Sequence, residues 1–347
     1  MNLQRFQAIT EAYSHLRLAV LGDFCLDRYL EIDPAKSEVS LETGLPVHNV
    51  INVRAQPGGA GTILNNLAAL GIGAIYPIGF AGDDGEGYEL WRALEQRPGV
   101  RLNFFVQTAQ RRTFTYSKPL LLAPQKPPVE LNRLDLKNWT PTPSLVQGLL
   151  LGRLQDAARL VDAIIVLDQV DLPETGVVTQ RILSVLGDQA RQDPELLVLA
   201  DSRRSLRGFP PVIFKMNAAE LAALTGAQAG LSFDDIKRAA LELAHANHRA
   251  VFVTLAERGM LGAAPGGQVE HVPALPLRGQ IDIVGAGDAV SANLTAAIAA
   301  TATLREALEL ATAAASVVIH KLGTTGTATV AELQEKMTRE DLLTAGA

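Results

Sequence analysis

Short runs of consecutive apolar residues alternate along the chain with longer segments in which apolar positions recur every three or four residues. Such runs predict buried strands, and the longer periodic segments predict amphipathic helices. The predicted strands are 16–22, 74–80, 163–168, 196–201, 212–217 and 250–255. The predicted helices are 60–71, 85–96, 151–161, 175–191, 217–225, 233–247, 287–300, 303–321 and 329–336. This alternation predicts an α/β fold whose central, mainly parallel sheet is covered on both faces.

Two segments interrupt the alternation, residues 28–55 and residues 100–135, and both are rich in β-branched, aromatic and proline residues. This composition favours strands and hairpins over crossover helices. We predict that they form a small β lid that extends from the main sheet and can cover a cleft. The alternative is that they are edge strands of the main sheet. With the lid included, residues 1–347 are predicted to form a single domain.

The chain has 347 residues, of which 48% are hydrophobic and 20% are charged, and its formal net charge is −6. The acidic charge argues against a nucleic-acid partner held by a broad basic face. The single cysteine, Cys25, excludes an intramolecular disulfide and favours a cytoplasmic location. The N-terminal segment lacks a signal-peptide pattern, and no apolar stretch approaches the ~20 residues that span a bilayer. We therefore expect no membrane partner.

The segment DIVGAGDA at 282–289 is a glycine-rich turn that opens an alanine-rich helix. Amides at a helix N-terminus bind anions, and Gly285 and Gly287 let the backbone approach phosphate oxygens closely. Asp288, in the first turn, would then be a general base that takes the proton of an attacking hydroxyl. The alternative is that Asp288 only caps the helix.

A second candidate pair follows another predicted strand, where Asn217 and Glu220 lie three residues apart at the start of a helix. An amide and a carboxylate on one helix face can orient water molecules bound to Mg²⁺, which needs few direct protein ligands. The alternative is a capping pair, with asparagine at the N-cap and glutamate three residues later.

The N-terminal third contains candidates for binding a polyol. Asp23 and Asp27 follow the first predicted strand, at the end where ligands of parallel α/β sheets bind, with loop solvation as the alternative. A glycine-rich turn that enters a helix adds three more candidates: Gly58, Gly59 and Asn65. The chain has neither a Walker A motif nor a dinucleotide fingerprint, so an ATP site would need another design.

Taken in order, these motifs resemble the ribokinase-like (PfkB) sugar kinase family from Leu18 to about Leu333. The resemblance lies in GGAGTILNNLAALG, GFAGDDGEG and DIVGAGDAVSANL. It implies a three-layer α/β/α fold, a lid that often mediates homodimer formation, and transfer of phosphate from ATP with Mg²⁺. It also implies that Asp288 is the catalytic base and that an anion hole is formed by Gly285, Ala286 and Gly287.

The resemblance also suggests which residues contact the nucleotide. The segment VTLAERG (253–259) looks like the family's nucleotide-binding stretch, but Ala256 replaces the expected glycine. Thr254 and Gly259 are therefore the expected contacts. Lys321 and the loop from Gly323 are expected to border the adenine pocket or a K⁺ site, with K⁺ as an optional third component.

Within the family, three segments resemble kinases that act on the anomeric hydroxyl of heptose 7-phosphate: GDFCLDRYL, ELNRLDLKN and KLGTTGTATV. The match is weaker at the sugar end, where Thr62 replaces the family's asparagine. A phosphorylated sugar needs a cation at the far end of its site. Arg111, Arg112, Lys118 and Arg133 lie in or beside the predicted lid, and Arg112 is our candidate, with a solvated basic surface or an interface rim as the alternative. Other acceptors stay open, namely a ketohexose phosphate, a plain sugar or a nucleoside. A non-catalytic sugar-binding homologue stays open as well.

Overall fold

A computed structural model describes residues 1–125, 127–227, 230–323, 325–340 and 342–343. Its strands are β1 (Arg17–Gly22), β2 (Phe24–Ile32), β3 (Glu38–Val39), β4 (Pro46–Val47), β5 (Val50–Gly59), β6 (Ala74–Ile78), β7 (Phe80–Gly82), β8 (Val106–Thr108), β9 (Phe114–Leu121), β10 (Val129–Glu130), β11 (Leu134–Leu136), β12 (Ala163–Asp168), β13 (Leu197–Ser202), β14 (Ile213–Asn217), β15 (Val251–Thr254), β16 (Met260–Ala263) and β17 (Val269–Val272).

The helices begin with α1 at the N-terminus and are interspersed among the strands until β17, after which the last three helices follow. They are α1 (Leu3–Ala12), α2 (Ala60–Ala69), α3 (Gly85–Glu95), α4 (Ser144–Ala158), α5 (Gln180–Gln192), α6 (Ala218–Thr225), α7 (Phe233–Asn247), α8 (Ala286–Ala299), α9 (Leu304–Ile319) and α10 (Val330–Arg339). Among the described residues, none of these helices combines the length and apolar character needed to cross a membrane.

The main sheet has eight strands in the order β17-β16-β15-β14-β13-β12-β1-β6. The strands from β15 to β6 in this order pair in parallel, whereas β16 and β17 pair antiparallel at one edge. Strand β12 is buried along its whole length, as expected for a strand with helices on both faces.

Helices cover both faces of this sheet and give three layers. One buried cluster joins the sheet to α2, α8 and α9, through side chains such as Ile63, Leu294 and Leu310. The other joins it to α4, α5 and α7, through side chains such as Leu150 and Ile182. The α/β class and the mainly parallel central sheet predicted from the sequence are therefore confirmed.

A second sheet stands apart from the main one and consists of β10, β9, β2 and β5 in that order, with β11 also paired to β9. We call this five-stranded sheet the lid. The first lid segment runs from Phe24, at the start of β2, to Gly59, at the end of β5. It therefore extends beyond the predicted range 28–55 at both ends. The first part of 100–135 lies outside the lid, because β8 pairs with β7 instead.

The topology brings the carboxyl ends of the parallel strands together at one edge of the main sheet. Asp23 directly follows β1, and Asp168, Asp201, Asn217 and Thr254 lie at or next to the ends of β12 to β15. In open parallel sheets, ligands bind at this edge. The N-termini of α2 and α8 follow Gly59 and Gly285, and the two helices pack against each other.

Candidate active site

A cavity of about 970 Å³ opens at the carboxyl edge of β14 and β15, beside the N-terminus of α8. Thr254 and Gly259, the predicted nucleotide contacts, line it together with Asn217, Ala286 and Gly287. Much of the remaining lining is aliphatic, from the 275–283 loop and from α8 and α9. A cavity of this size and apolar character suits a nucleotide whose base is buried and whose phosphates point at α8.

The nucleotide-binding stretch contains an alanine in an unusual backbone conformation. Ala256 has a φ of 52°, which is the left-handed region that favours glycine. Gly259 has a φ of 90°, and a Cβ there would lie 2.1 Å from the carbonyl oxygen of Val272. The family resemblance predicts glycine at 256, and the left-handed backbone there explains that preference. At Gly259, any side chain would displace the backbone of β17.

The turn that opens α8 presents free amides to this cavity. Gly285 is the N-cap residue with a φ of 84°, and no side chain caps the helix. The amide of Ala286 donates to Ile283, but within the described part of the chain the amides of Gly287 and Asp288 have no acceptor. Unsatisfied amides at a helix N-terminus form an anion site.

Asp288 lies in the first turn of α8, only partly accessible from the cleft and closely surrounded by protein. Burial raises the pKa of Asp288 to about 7, and the neighbouring charge of Asp201 adds to this. Lys215 and Arg203 act in the opposite direction, and Asp27 from the lid raises the pKa further. A carboxylate with a pKa near neutrality is suited to accept a proton at physiological pH.

A buried lysine, Lys215, lies beneath the same turn. The Lys215 ammonium is 2.7 Å from Asp201 Oδ2, and Ser291 on α8 donates to that same oxygen over 3.2 Å. A Cβ on Gly287 would lie 3.1 Å from the Lys215 ammonium. Burial alone would lower the pKa of Lys215, but Asp201, Asp288 and Glu220 raise it above the ordinary value. A cation therefore lies next to the free amides.

Asn217 and Glu220 form a capping box at the start of α6. The Asn217 side chain accepts from the Glu220 amide over 2.9 Å, and the Glu220 carboxylate accepts from the Asn217 amide over 2.7 Å. Burial raises the pKa of Glu220, with Asp201 contributing. The capping alternative is thus present, and Asn217 also lines the cavity. Among the described residues, no cluster of three or more acidic, histidine or cysteine side chains could hold a metal by itself.

Asp27 lies on lid strand β2, close enough to Asp288 to affect its pKa. Its side chain is 11% exposed and pairs with the Lys118 ammonium over 3.3 Å. Gly58 lies opposite in the lid sheet, where a Cβ would come within 2.6 Å of Asp27 Oδ2. Burial raises the pKa of Asp27, although Lys118 partly offsets this. The glycine at 58 therefore leaves room for this carboxylate.

Asp23 has a different position from the one expected. Its side chain is only 1% exposed and accepts hydrogen bonds from the amides of Gln169, Val170 and Val177. Its carbonyl oxygen lies under Gly59, whose φ is 57°. The prediction that Asp23 binds substrate hydroxyls is corrected, because its oxygens hold the loop between β12 and α5 in place.

The predicted phosphate-binding arginine lies at the surface, and its role stays a prediction. The Arg112 side chain is 72% exposed, and its nearest acidic group is Asp84 at 4.0 Å. The neighbouring Arg111 is buried and donates to the carbonyls of Thr140 and Thr175. Arg111 therefore fixes the loops around the lid, and neither arginine faces the carboxylates of the cleft in this structure.

Two other predicted residues lie away from the nucleotide cavity. Asn65 donates to the carbonyl of Pro57, and Lys321 pairs with Glu332 over 2.5 Å. Both line a separate cavity. Gly323 is exposed with a φ of 71°, and residue 324 of the predicted loop lies outside the described residues.

Comparison with known proteins identifies the family. The model of the pfkB family carbohydrate kinase matches residues 17–330. The chain is 28% identical to bifunctional protein HldE of Bradyrhizobium sp. (strain ORS 278) over 334 residues, which are 96% of this chain and 65% of that protein. It is 32% identical to bifunctional protein HldE of Hyphomonas neptunium over 326 residues, which are 92% of this chain and 63% of that protein. The chain thus spans slightly less than two thirds of the length of these relatives.

Solved structures share the fold. Ribokinase of Arabidopsis thaliana, complexed with ribose and ATP, superposes with a TM-score of 0.67 at 20% identity, covering 93% of this chain and 98% of that one. Phosphofructokinase-2 of Escherichia coli, complexed with fructose-6-phosphate, gives 0.69 at 18% identity, covering 94% and 99%. Together with the match of the family model over most of its length, these comparisons show that the chain belongs to the pfkB family of carbohydrate kinases.

Proposed function

We propose that this chain transfers the γ-phosphoryl group of ATP to a hydroxyl of a sugar or sugar phosphate, with Asp288 as the general base. One observation carries the proposal. A carboxylate whose pKa is raised to about 7 lies beside two free amides and a buried ammonium, in a helix turn that lines a nucleotide-sized cavity through Ala286 and Gly287. A protein that only binds sugar has no need of a base in an anion site.

In the proposed reaction, Asp288 accepts the proton of the acceptor hydroxyl as that oxygen attacks the γ-phosphorus. The bond from the γ-phosphorus to the bridging oxygen of ADP breaks as the new phosphorus–oxygen bond forms. The amides of Gly287 and Asp288 and the ammonium of Lys215 stabilise the charge on the transferring group, which is the main catalytic requirement of phosphoryl transfer. Thr254 and Gly259 position the nucleotide.

Mg²⁺ fits the donor set at this edge, which is rich in oxygen. Glu220 and Asn217 already bond to each other, and the described residues offer no cage of three acidic ligands. Mg²⁺ tolerates this, because it keeps several waters and takes ligands from phosphates. We therefore propose that Glu220 and Asn217 would hold Mg²⁺ through water molecules, and that the ion would supply positive charge against the phosphates. K⁺ is an optional further component.

We propose heptose 7-phosphate as the first acceptor to test, with its anomeric hydroxyl directed at Asp288. The curated relatives support this choice, and so do the three heptose-kinase-like segments of the sequence. Asp27 would bind acceptor hydroxyls, and Gly58 leaves space for its carboxylate. The departure at Thr62 favours keeping a ketohexose phosphate, a plain sugar and a nucleoside as second candidates.

An acceptor panel tests this proposal through ATP-dependent ADP release with heptose 7-phosphate, fructose 6-phosphate, ribose and adenosine. We expect turnover with at least one sugar, fastest with heptose 7-phosphate. The Asp288→Asn variant, purified in parallel, is the matched control for contaminating kinases. Absence of ADP release with every acceptor, alongside measurable ATP binding, would instead establish the non-catalytic homologue.

We also propose a homodimer formed through the lid. Strand β5 is an edge strand of the lid sheet, and Val50, Ile51 and Val53 on it are 43%, 50% and 45% exposed. An exposed apolar edge strand is a liability for a monomer and a ready surface for a second copy.

A further inference from the structure

A second cavity, of about 360 Å³, lies between the lid strand β5, helix α2, the turn after α3 and the loop after α9. It shares no lining residue with the nucleotide cavity. Its polar lining comes from separate parts of the chain and includes Asn65, Arg97, Lys321 and Thr325. A cavity of this volume is large enough for a small metabolite.

Three polar atoms around this cavity are buried without a hydrogen-bond partner in the described part of the chain. They are Asn65 Oδ1, Arg97 Nε and Thr325 Oγ1. Each such atom costs about 1–3 kcal/mol unless something satisfies it, and most buried polar groups in folded proteins are satisfied. Three of them around one cavity therefore point to an occupant. Asn65 is itself only 9% exposed.

The charge of the lining selects an anion. Arg97 and Lys321 line the cavity, and none of the described lining residues is acidic. Lys321 is compensated by Glu332 and also donates to the carbonyl of Thr327. The Arg97 side chain has no ion pair to any described residue, so its positive charge is uncompensated. A guanidinium with free N–H groups is well suited to an oxyanion.

The orientation of Asn65 adds a second requirement. Its Nδ2 donates to the carbonyl of Pro57 over 3.1 Å, which fixes Oδ1 as the group left without a partner. That oxygen can only accept a hydrogen bond. The occupant must therefore carry a donor, such as a hydroxyl, as well as negative charge.

We propose that this cavity is a second binding site, distinct from the nucleotide cavity, for a small phosphate-type anion that also presents a hydroxyl donor. Hydrogen phosphate and a phosphate monoester of a polyol both meet this description, whereas sulfate at neutral pH offers acceptors only. Arg97 pairs with the anion, the Thr325 hydroxyl donates to it, and Asn65 Oδ1 accepts from its hydroxyl. The methyl of Thr325 packs against Gly285. The Thr325 side chain would therefore contact the occupant through its hydroxyl and the α8 turn through its methyl.

Calorimetric titration at pH 7 tests the proposal with three probes, namely inorganic phosphate, glycerol 3-phosphate and sulfate. The variants are Arg97→Gln and Thr325→Val, where valine keeps the methyl that packs on Gly285 but removes the hydroxyl. Arg92→Gln is the matched control, because Arg92 is an exposed arginine of α3 whose charge stacks over Tyr88. Thermal melting confirms that each variant is folded.

We expect Arg97→Gln to weaken binding of phosphate or glycerol 3-phosphate at least about tenfold, and Thr325→Val to weaken it several-fold. Arg92→Gln should bind as the unmodified chain does. Comparison of the affinities for inorganic phosphate and glycerol 3-phosphate shows whether the free anion or a monoester is preferred. Any phosphate bound at the α8 turn contributes equally in all variants. Equal affinity of the unmodified chain and Arg97→Gln for both phosphates would overturn the proposal, and sulfate binding as tightly as phosphate would overturn the role of Asn65.

Discussion

At the scale of single residues, the basicity of Asp288 depends on where the fold places other charges. Burial and Asp201 raise its pKa to about 7, while Lys215 and Arg203 hold it from rising further. In the proposed reaction the base must be ionised, so kcat/KM should increase with pH through about 7 and level off above it. The same carboxylate on an open surface would be ionised over this whole range.

Arg203 provides a direct test of this electrostatic account. Its side chain is exposed and makes no hydrogen bond or ion pair with any described residue, so Arg203→Gln should leave the fold unchanged. Loss of its charge should raise the pKa of Asp288 and move the rising limb of the kcat/KM profile to higher pH by a fraction of a unit. Arg181→Gln, on the exposed side of α5, is the charge-matched control and should leave the limb in place. An unchanged or acid-shifted limb in Arg203→Gln would contradict the account.

The sequence predicted the α8 turn but not the residues that act on it from elsewhere. Asp288 and its glycines are contiguous, so their spacing alone indicates an anion site with a base. Lys215 and Asp201 lie on neighbouring strands, and only the sheet brings them under the turn. The lysine inside the apolar strand was the available signal, because lysine is rarely buried without a partner. Asp23 was misassigned, since sequence position does not reveal which carboxylate oxygens the backbone amides already satisfy.

At the scale of elements, the function depends on how α8 begins. Gly285 combines a left-handed φ of 84° with close packing, because a Cβ there would lie 2.5 Å from the Thr325 methyl. Both features hold the free amides in one arrangement. The turn is thus defined by its backbone, not by a capping side chain.

We expect Gly285→Ala to reduce kcat at least about tenfold, because the turn must shift to relieve the contact with Thr325. Gly267→Ala is the matched control, since Gly267 also has a left-handed φ, of 94°, but a Cβ there meets nothing within 4 Å. It should cost about 1 kcal/mol of stability with kcat unchanged. Steady-state rates and thermal melting of both variants measure the difference. Equal kcat in the two would show that the packing of the turn has no catalytic importance.

Most elements of the main domain follow from the apolar pattern, because fully buried strands leave continuous apolar runs. The predicted strand 163–168 is β12 (Ala163–Asp168), and the predicted helix 233–247 is α7 (Phe233–Asn247). Helix α4 begins at Ser144, seven residues before the prediction, and it contains Gly148 and Gly152, which weaken a helical pattern. The short antiparallel strands β16 and β17 were not predicted, since β16 is an apolar run of only four residues and β17 at the edge has polar residues at its two central positions.

At the scale of the whole molecule, the lid leaves an apolar edge strand, β5, in solvent. If the proposed homodimer forms there, Ile51→Glu should convert it to a monomer, because a buried unpaired charge is unfavourable at an interface. Leu145→Glu is the control, as Leu145 is 63% exposed on α4, outside the lid. Light scattering coupled to size-exclusion chromatography gives the mass of each. If the Ile51→Glu variant is still a dimer, the interface lies elsewhere. If the unmodified chain is a monomer, the proposed dimer is excluded.

The central claim is that Asp288 removes the acceptor proton during phosphoryl transfer. The most direct test compares kcat for ADP release by Asp288→Asn and by the unmodified chain, at saturating ATP and with the best acceptor. The account predicts a fall of about 10²–10⁴-fold with ATP affinity preserved, because the amide keeps the shape but cannot accept the proton. A kcat close to that of the unmodified chain would contradict it.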